Sequence, residues 1–113
     1  MRNVKIIGAG SIGNHLAHAC RQKNWQVAIF DCDNEALRRT KEDIYPSRYG
    51  KWDDRIKLLN SNSEKKENFD IIFVGTPPET HLKLALKELT NNPRILCIEK
   101  PLCQPDLKKL EQF

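Results

Sequence analysis

Short apolar runs of strand length alternate with segments of helical period, and the alternation is regular along the chain. Residues 4–8 form the first run, which ends in glycine. Residues 11–23 then repeat apolar positions at helical spacing, and Ile12, Leu16, Ala19 and Cys20 are predicted to share the buried face. Residues 25–30 read as a second strand. Asp33 stands where it can cap a helix from residue 34 to about 43, with Ala36, Leu37, Thr40 and Ile44 inward. From Tyr45 to Asp54 the period dissolves among Pro46, Ser47, Gly50 and charges, which predicts a loop.

The second half continues the alternation. Residues 56–59 read as a weak third strand, and the polar stretch 61–68 as a connection without a packed helix. Residues 69–75 make the strongest strand, apolar on both faces as a central parallel strand should be. Pro77 or Pro78 then opens a helix in which Leu82, Ala85, Leu86 and Leu89 recur at i, i+3, i+4 and i+7. Residues 94–98 form a fifth strand, and Leu107 and Leu110 after Pro105 suggest one more helix. The pattern predicts an α/β domain: an open parallel sheet of Rossmann type with helices on both faces, one domain over residues 1–113.

Composition narrows the function classes without naming one. The 113 residues are 39% apolar and 30% charged, as in a single soluble domain. The longest apolar runs, such as Ile71-Ile72-Phe73-Val74, are too short to span a bilayer. Nineteen Lys and Arg against fifteen Asp and Glu leave +4, too mild and scattered a charge to point to nucleic acid. No secretory signal opens the chain, so the expected location is the cytoplasm and the thiols are expected reduced. Cys20, Cys32, Cys97 and Cys103 show no metal-ligand spacing; Cys20 and Cys97 read as small core residues. His15 and His18 read as exposed, and Trp25 and Trp52 as core or loop anchors.

The chemistry begins at Gly8-Ala9-Gly10-Ser11-Ile12-Gly13, a G-x-G-x-x-G sequence between the first strand and the first helix. In that context Gly8 serves a tight turn, Gly10 lets a pyrophosphate approach the backbone, and Gly13 lets helix and strand pack closely. The amides of Ser11 and Ile12, at the positive end of the helix, are candidate diphosphate donors. Asp31 ends the second strand eighteen residues beyond Gly13, near the spacing at which an acid meets the adenosine ribose. With Asp33 as the better cap, Asp31 is expected free to accept the 2′- and 3′-hydroxyls and to repel a 2′-phosphate, favouring NAD over NADP. Its neighbour Cys32 joins it as a candidate cofactor contact. Arg38 and Arg39 lie within the following helix and read as an exposed face.

Two further segments, Val74-Gly75-Thr76-Pro77-Pro78-Glu79-Thr80-His81 and Ile98-Glu99-Lys100-Pro101-Leu102, follow strand ends. Together with the glycine loop they resemble the Gfo/Idh/MocA family of oxidoreductases, whose members carry a TPxxxH-type segment and an EKP motif at these places. The resemblance covers essentially the whole chain, as the family's N-terminal NAD-binding half. It implies that Thr76 and Pro77 line the nicotinamide side of the groove and that Glu99 and Lys100 reach the nicotinamide ribose. It makes Lys100 the candidate catalytic group, orienting a substrate hydroxyl, and it implies a cis bond before Pro101. For His81 it leaves two roles, contact with the ribose or a hydrogen bond that holds the loop.

The same resemblance implies a second domain that walls the substrate and carries the oligomer interface, and this chain is expected to be the nucleotide half without it. Three readings follow. The first is the NAD(H)-binding domain of a sugar or polyol oxidoreductase, inactive alone. The second is a non-catalytic NAD(H) sensor, and the third an interaction domain with a decayed site. Glu99-Lys100-Pro101 favours the first over the second, and intact Gly8, Gly10, Gly13 and Asp31 speak against the third.

Overall fold

A computed structural model describes residues 2–61, 68–76, 78–89 and 93–98, with the backbone alone for 78–82. The predicted connection after residue 61, Pro77, the Glu99-Lys100-Pro101 motif, Cys103 and the last helix fall wholly or mostly outside those residues.

Five strands form one parallel sheet, as the pattern predicts. They are β1 (Asn3–Ile7), β2 (Gln26–Asp31), β3 (Ile56–Asn60), β4 (Ile71–Val74) and β5 (Ile95–Ile98), ordered β3-β2-β1-β4-β5. Helix α1 (Ser11–Gln22) joins β1 to β2. Helix α2 (Asn34–Arg39), a π-helical stretch (Thr40–Ile44) and α3 (Tyr45–Tyr49) stand between β2 and β3. Helix α4 (Pro78–Leu89) joins β4 to β5. Alternate side chains of β1 face opposite layers. Val4 and Ile6 join Ala17 and Cys20 of α1, Leu37 and Tyr45 in one cluster, while Ile7 packs with Ile72, Val74 and Leu84 of α4 in the other.

Three expectations need correction. On α1 the buried residues are Gly13, Asn14, Ala17 and Cys20, whereas Ile12 is 45% exposed and Ala19 is also exposed. The helix lies so close to the sheet that small residues win the inner face, ahead of larger apolar ones. Second, the stretch read as a loop begins with α3, entered through Pro46, a residue tolerated in the first turn of a helix. Tyr45 is buried there against His18 and Trp52, and Tyr49 stacks on His18 at 3.8 Å between ring centroids. His18 therefore belongs to an aromatic cluster and is not a free surface side chain. Burial pushes both the Tyr45 hydroxyl and the Cys20 thiol up from their ordinary values. Third, on α4 it is Glu88 that is buried, while Leu89 is 42% exposed.

Glu88 is inside because β1 supplies its partner. Lys5 Nζ lies 2.8 Å from Glu88 Oε1, and both side chains are 1% exposed. The ammonium also sits 4.8 Å from the Phe30 ring centroid, so charge and ring quadrupole both hold it. Other expectations stand: Asp33 caps α2 by accepting from the Glu35 amide, Leu37 and Thr40 are buried, and Trp25 and Trp52 pack against the core. Cys20 is buried as expected, while Cys97 is only half-buried. Arg38 is on an exposed face, paired with Glu35 and Glu42.

Candidate functional site

Parallel register brings the candidate residues to one edge. Ile7 pairs with both Phe30 and Val74, and Asp31 pairs with Asn60, so the turns leaving β1, β2 and β4 start side by side. This is the carboxyl end of the sheet, on both sides of the central strand, where open α/β sheets take their ligands.

Gly8 makes the turn out of β1 at φ +112°, a backbone conformation that a side chain would strain. A Cβ on it would also stand 2.8 Å from the Gly75 carbonyl oxygen, so the glycine loop and the Gly75–Thr76 turn touch. The Gly75 amide donates to the Ile7 carbonyl at 2.9 Å, and Thr76 is thereby held beside Gly8. The first and second sequence motifs form one surface.

Gly13 packs closest of all, since a Cβ there would lie 2.1 Å from the Gly8 carbonyl oxygen. Around Gly10 the situation is reversed: no atom lies within 4 Å of where its Cβ would stand. Gly10 is also the N-cap of α1, and no side chain caps the helix. No acidic side chain sits in the first turn either. The start of this twelve-residue helix carries its positive dipole end without a side-chain cap, which suits a bound anion.

Asp31 sits beside this loop in a way its spacing alone did not reveal. The Ala9 amide donates to its Oδ2 and the Asp33 amide to its Oδ1, each at 2.9 Å. Asp31 is therefore not free, as first expected; it clamps the glycine loop to the turn after β2. A carboxylate offers about four lone-pair sites, so two bonds to amides still leave capacity for the hydroxyls of a ribose. Cys32 beside it is exposed, and its carbonyl accepts from Asn60 Nδ2 at 3.3 Å.

A buried polar bridge supports the loop from behind. Asn14 Nδ2 donates to the Gly10 carbonyl at 2.8 Å and to Thr40 Oγ1 at 3.1 Å, and Thr40 donates in turn to the Ala9 carbonyl at 3.1 Å. Both side chains are fully buried. Sequence reasoning missed this pair: Asn14 falls on a helix and Thr40 enters only as an inward position. It missed Arg48 as well, whose guanidinium reaches Ser11 from α3. His81 lies in the first turns of α4, with only its backbone described.

The comparisons agree with this geometry. The profile of the oxidoreductase family with an NAD-binding Rossmann fold, GFO_IDH_MocA, matches residues 2–113. The chain belongs to the Gfo/Idh/MocA family. At the edge just described, the open space at Gly10, the uncapped helix start and the Asp31 carboxylate fit a diphosphate and a ribose diol. No curated protein matches the sequence.

Among solved structures, the fold resembles that of an Agrobacterium radiobacter oxidoreductase in complex with NAD+, L-tartaric acid and magnesium. The TM-score is 0.70 at 19% identity, over 98% of this chain and 30% of that one. UDP-N-acetylglucosamine 3-dehydrogenase GnnA from Acidithiobacillus ferrooxidans gives 0.71 at 20% identity, over 98% of this chain and 32% of that one. The Bordetella pertussis WlbA dehydrogenase in complex with NADH and UDP-GlcNAcA gives 0.70 at 20% identity, over 97% and 32% respectively. The family chain described here thus spans about a third of the length of the structures it matches. Among its described residues, no helix is long and apolar enough to cross a membrane.

Proposed function

We propose that this Gfo/Idh/MocA domain is the nucleotide half of a cytoplasmic oxidoreductase that moves hydride between NAD and a sugar- or polyol-type hydroxyl. The observation that carries the reading is the pairing of two features at one sheet edge. One is an uncapped helix start with open space at Gly10; the other is a carboxylate, Asp31, bonded to the same loop. NAD supplies the hydride acceptor when bound. The chain's own residues bind and orient it: the Ser11 and Ile12 amides hold the diphosphate, and Asp31 accepts from the adenosine ribose with Cys32 alongside. By the family resemblance, Thr76 and Pro77 line the nicotinamide side, and His81 contacts the ribose or holds the loop by a hydrogen bond. Glu99 reaches the nicotinamide ribose, and Lys100 orients the substrate hydroxyl and steadies negative charge on its oxygen, roles that rest on the family resemblance.

The identity of the acid selects the cofactor. A 2′-phosphate would bring negative charge against Asp31 and Asp33 together, while Arg38 is committed to Glu35 and Glu42 and is no counter-charge. Fluorescence titration is expected to show NADH binding at least about tenfold tighter than NADPH, about 1.4 kcal/mol. Equal or reversed affinities would overturn the assignment of Asp31.

Hydride transfer also needs a substrate held against the nicotinamide and shielded from water. We place that wall in a substrate-binding half, since the structures with this fold are about three times as long. The 113-residue chain incubated with NAD+ and a panel of polyols and sugars is expected to form no NADH above background. Steady turnover by this chain would contradict the division of labour.

A further inference from the structure

The glycine loop receives a cation from an unexpected direction. Arg48, near the end of α3, donates from one terminal nitrogen to the Ser11 carbonyl at 2.9 Å and from the other to Ser11 Oγ at 2.6 Å. Ser11 is the first residue of α1, and its amide is among the free donors of the helix start. The two residues are thirty-seven positions apart, so no local pattern places them together.

Arg48 is delivered there by a rigid support. Tyr45 is buried in the core, and Tyr49 stacks on His18 and approaches His15 Nδ1 at 3.4 Å, so α3 is fastened along the outer side of α1. Unlike Arg21, which pairs with Asp53 at 2.9 Å, or Arg38, which pairs with two glutamates, Arg48 has no carboxylate partner among the described residues. Its side chain is exposed, and its remaining N–H groups face no described acceptor. Arg48 thus presents a fixed, solvent-facing guanidinium on the residue that starts the anion-binding helix. The loop's own hydrogen bonds run to the side chains of Asp31, Asn14 and Thr40, so among the described residues they bring no cation to a diphosphate.

We propose that Arg48 is a diphosphate-binding residue of the NAD site, adding a guanidinium from α3 to the helix amides of the glycine loop. The inference rests on the NAD reading of that loop. Guanidinium geometry suits phosphate oxygens, and its two bonds to neutral Ser11 groups are readily exchanged for charge-assisted ones. The same contact gives Ser11 a second role, since its hydroxyl holds the guanidinium in place until the phosphate arrives.

The test compares wild type, Arg48→Ala and Arg48→Lys in the 113-residue chain, with NADH, ADP-ribose and adenosine as probes, at low salt and in 1 M NaCl. Arg48→Ala is expected to weaken NADH and ADP-ribose about tenfold at low salt, which is about 1.4 kcal/mol. It is expected to leave adenosine unchanged, and Arg48→Lys should fall between wild type and Arg48→Ala, because the charge remains but the planar fork is lost. In 1 M NaCl, where the screening length is about 3 Å, the gap between wild type and Arg48→Ala should shrink to about threefold or less. A purely structural tether would instead lower the melting temperature and weaken all three probes alike at both salt concentrations, and that result overturns the proposal. So does an Arg48→Ala chain that binds NADH as wild type does, which leaves the NAD site itself standing. A wild-type chain that binds neither NADH nor ADP-ribose removes both.

Discussion

Gly13→Ala is expected to destabilise the domain by about 3 kcal/mol or more and to abolish NAD binding with it. The added methyl would stand 2.1 Å from the Gly8 carbonyl oxygen, 3.3 Å from the Gly8 carbonyl carbon and 3.4 Å from Ile6 Cγ2. Two of those three atoms are backbone, in a turn that cannot give way easily. Gly8 is held at φ +112°, its amide donates to the Phe30 carbonyl at 2.8 Å, and the Gly75 carbonyl lies against its other side. Relief requires α1 to slide away from β1, and that opens the contact made by Ala17. A domain of this size has a stability of only about 5–15 kcal/mol, so a loss on this scale is a large share of the whole. Thermal melting should show a fall of about 10 °C or more. A Gly13→Ala chain that melts within about 2 °C of wild type would contradict the close packing of helix on turn.

The second large effect concerns the other face of the sheet. Replacing Glu88 by leucine removes the carboxylate 2.8 Å from a Lys5 ammonium that is 1% exposed, and replacing Lys5 by methionine removes that ammonium from beside an equally buried Glu88 carboxylate. Each single change is expected to cost about 3 kcal/mol, because the remaining buried charge loses its closest counter-charge but keeps its desolvation penalty. The double variant Lys5→Met/Glu88→Leu should recover most of that loss, since two apolar side chains of similar volume need no partner. Urea denaturation of the four chains measures the coupling as a cycle. Additive losses in the double variant would mean that the two charges are not one unit. The pair reaches the site through α4, which begins two residues after Thr76, so the single variants should also bind NADH less tightly than the double variant does.

What the sequence revealed and what it concealed follows from the range of the interactions. The five strands, the glycine turn, the Asp33 cap and the acid after β2 are local features, and each is set by residues within a turn or a strand of one another. On α1 apolar spacing predicts Ile12 and Ala19 on the inner face, whereas close approach to β1 selects Gly13 and Ala17 and leaves Ile12 outside. Pro46, Ser47 and Gly50 read as turn residues and hide helix α3, whose seat is made by Tyr45 and Tyr49 on α1. Glu88 lies outside the apolar period of α4, and its burial is explained only by Lys5, eighty-three residues away. At the site the same holds. The motif named the donors, but the Asp31 clamp, the Asn14–Thr40 bridge and Arg48 each join segments at least twenty-two positions apart.

The central claim is that an open, uncapped helix start at Gly10 receives the NAD diphosphate. Calorimetric titration of wild type and Gly10→Val with NAD+ tests it most directly, because the side chain added at Gly10 meets no protein atom within 4 Å of its Cβ and so fills only the ligand's space. The account predicts one-to-one saturable binding by wild type, and at least about a hundredfold weaker binding by a Gly10→Val chain with a nearly unchanged melting temperature, about 2.7 kcal/mol at 25 °C. Equal NAD+ affinity in the two chains, or no binding by wild type, would contradict it.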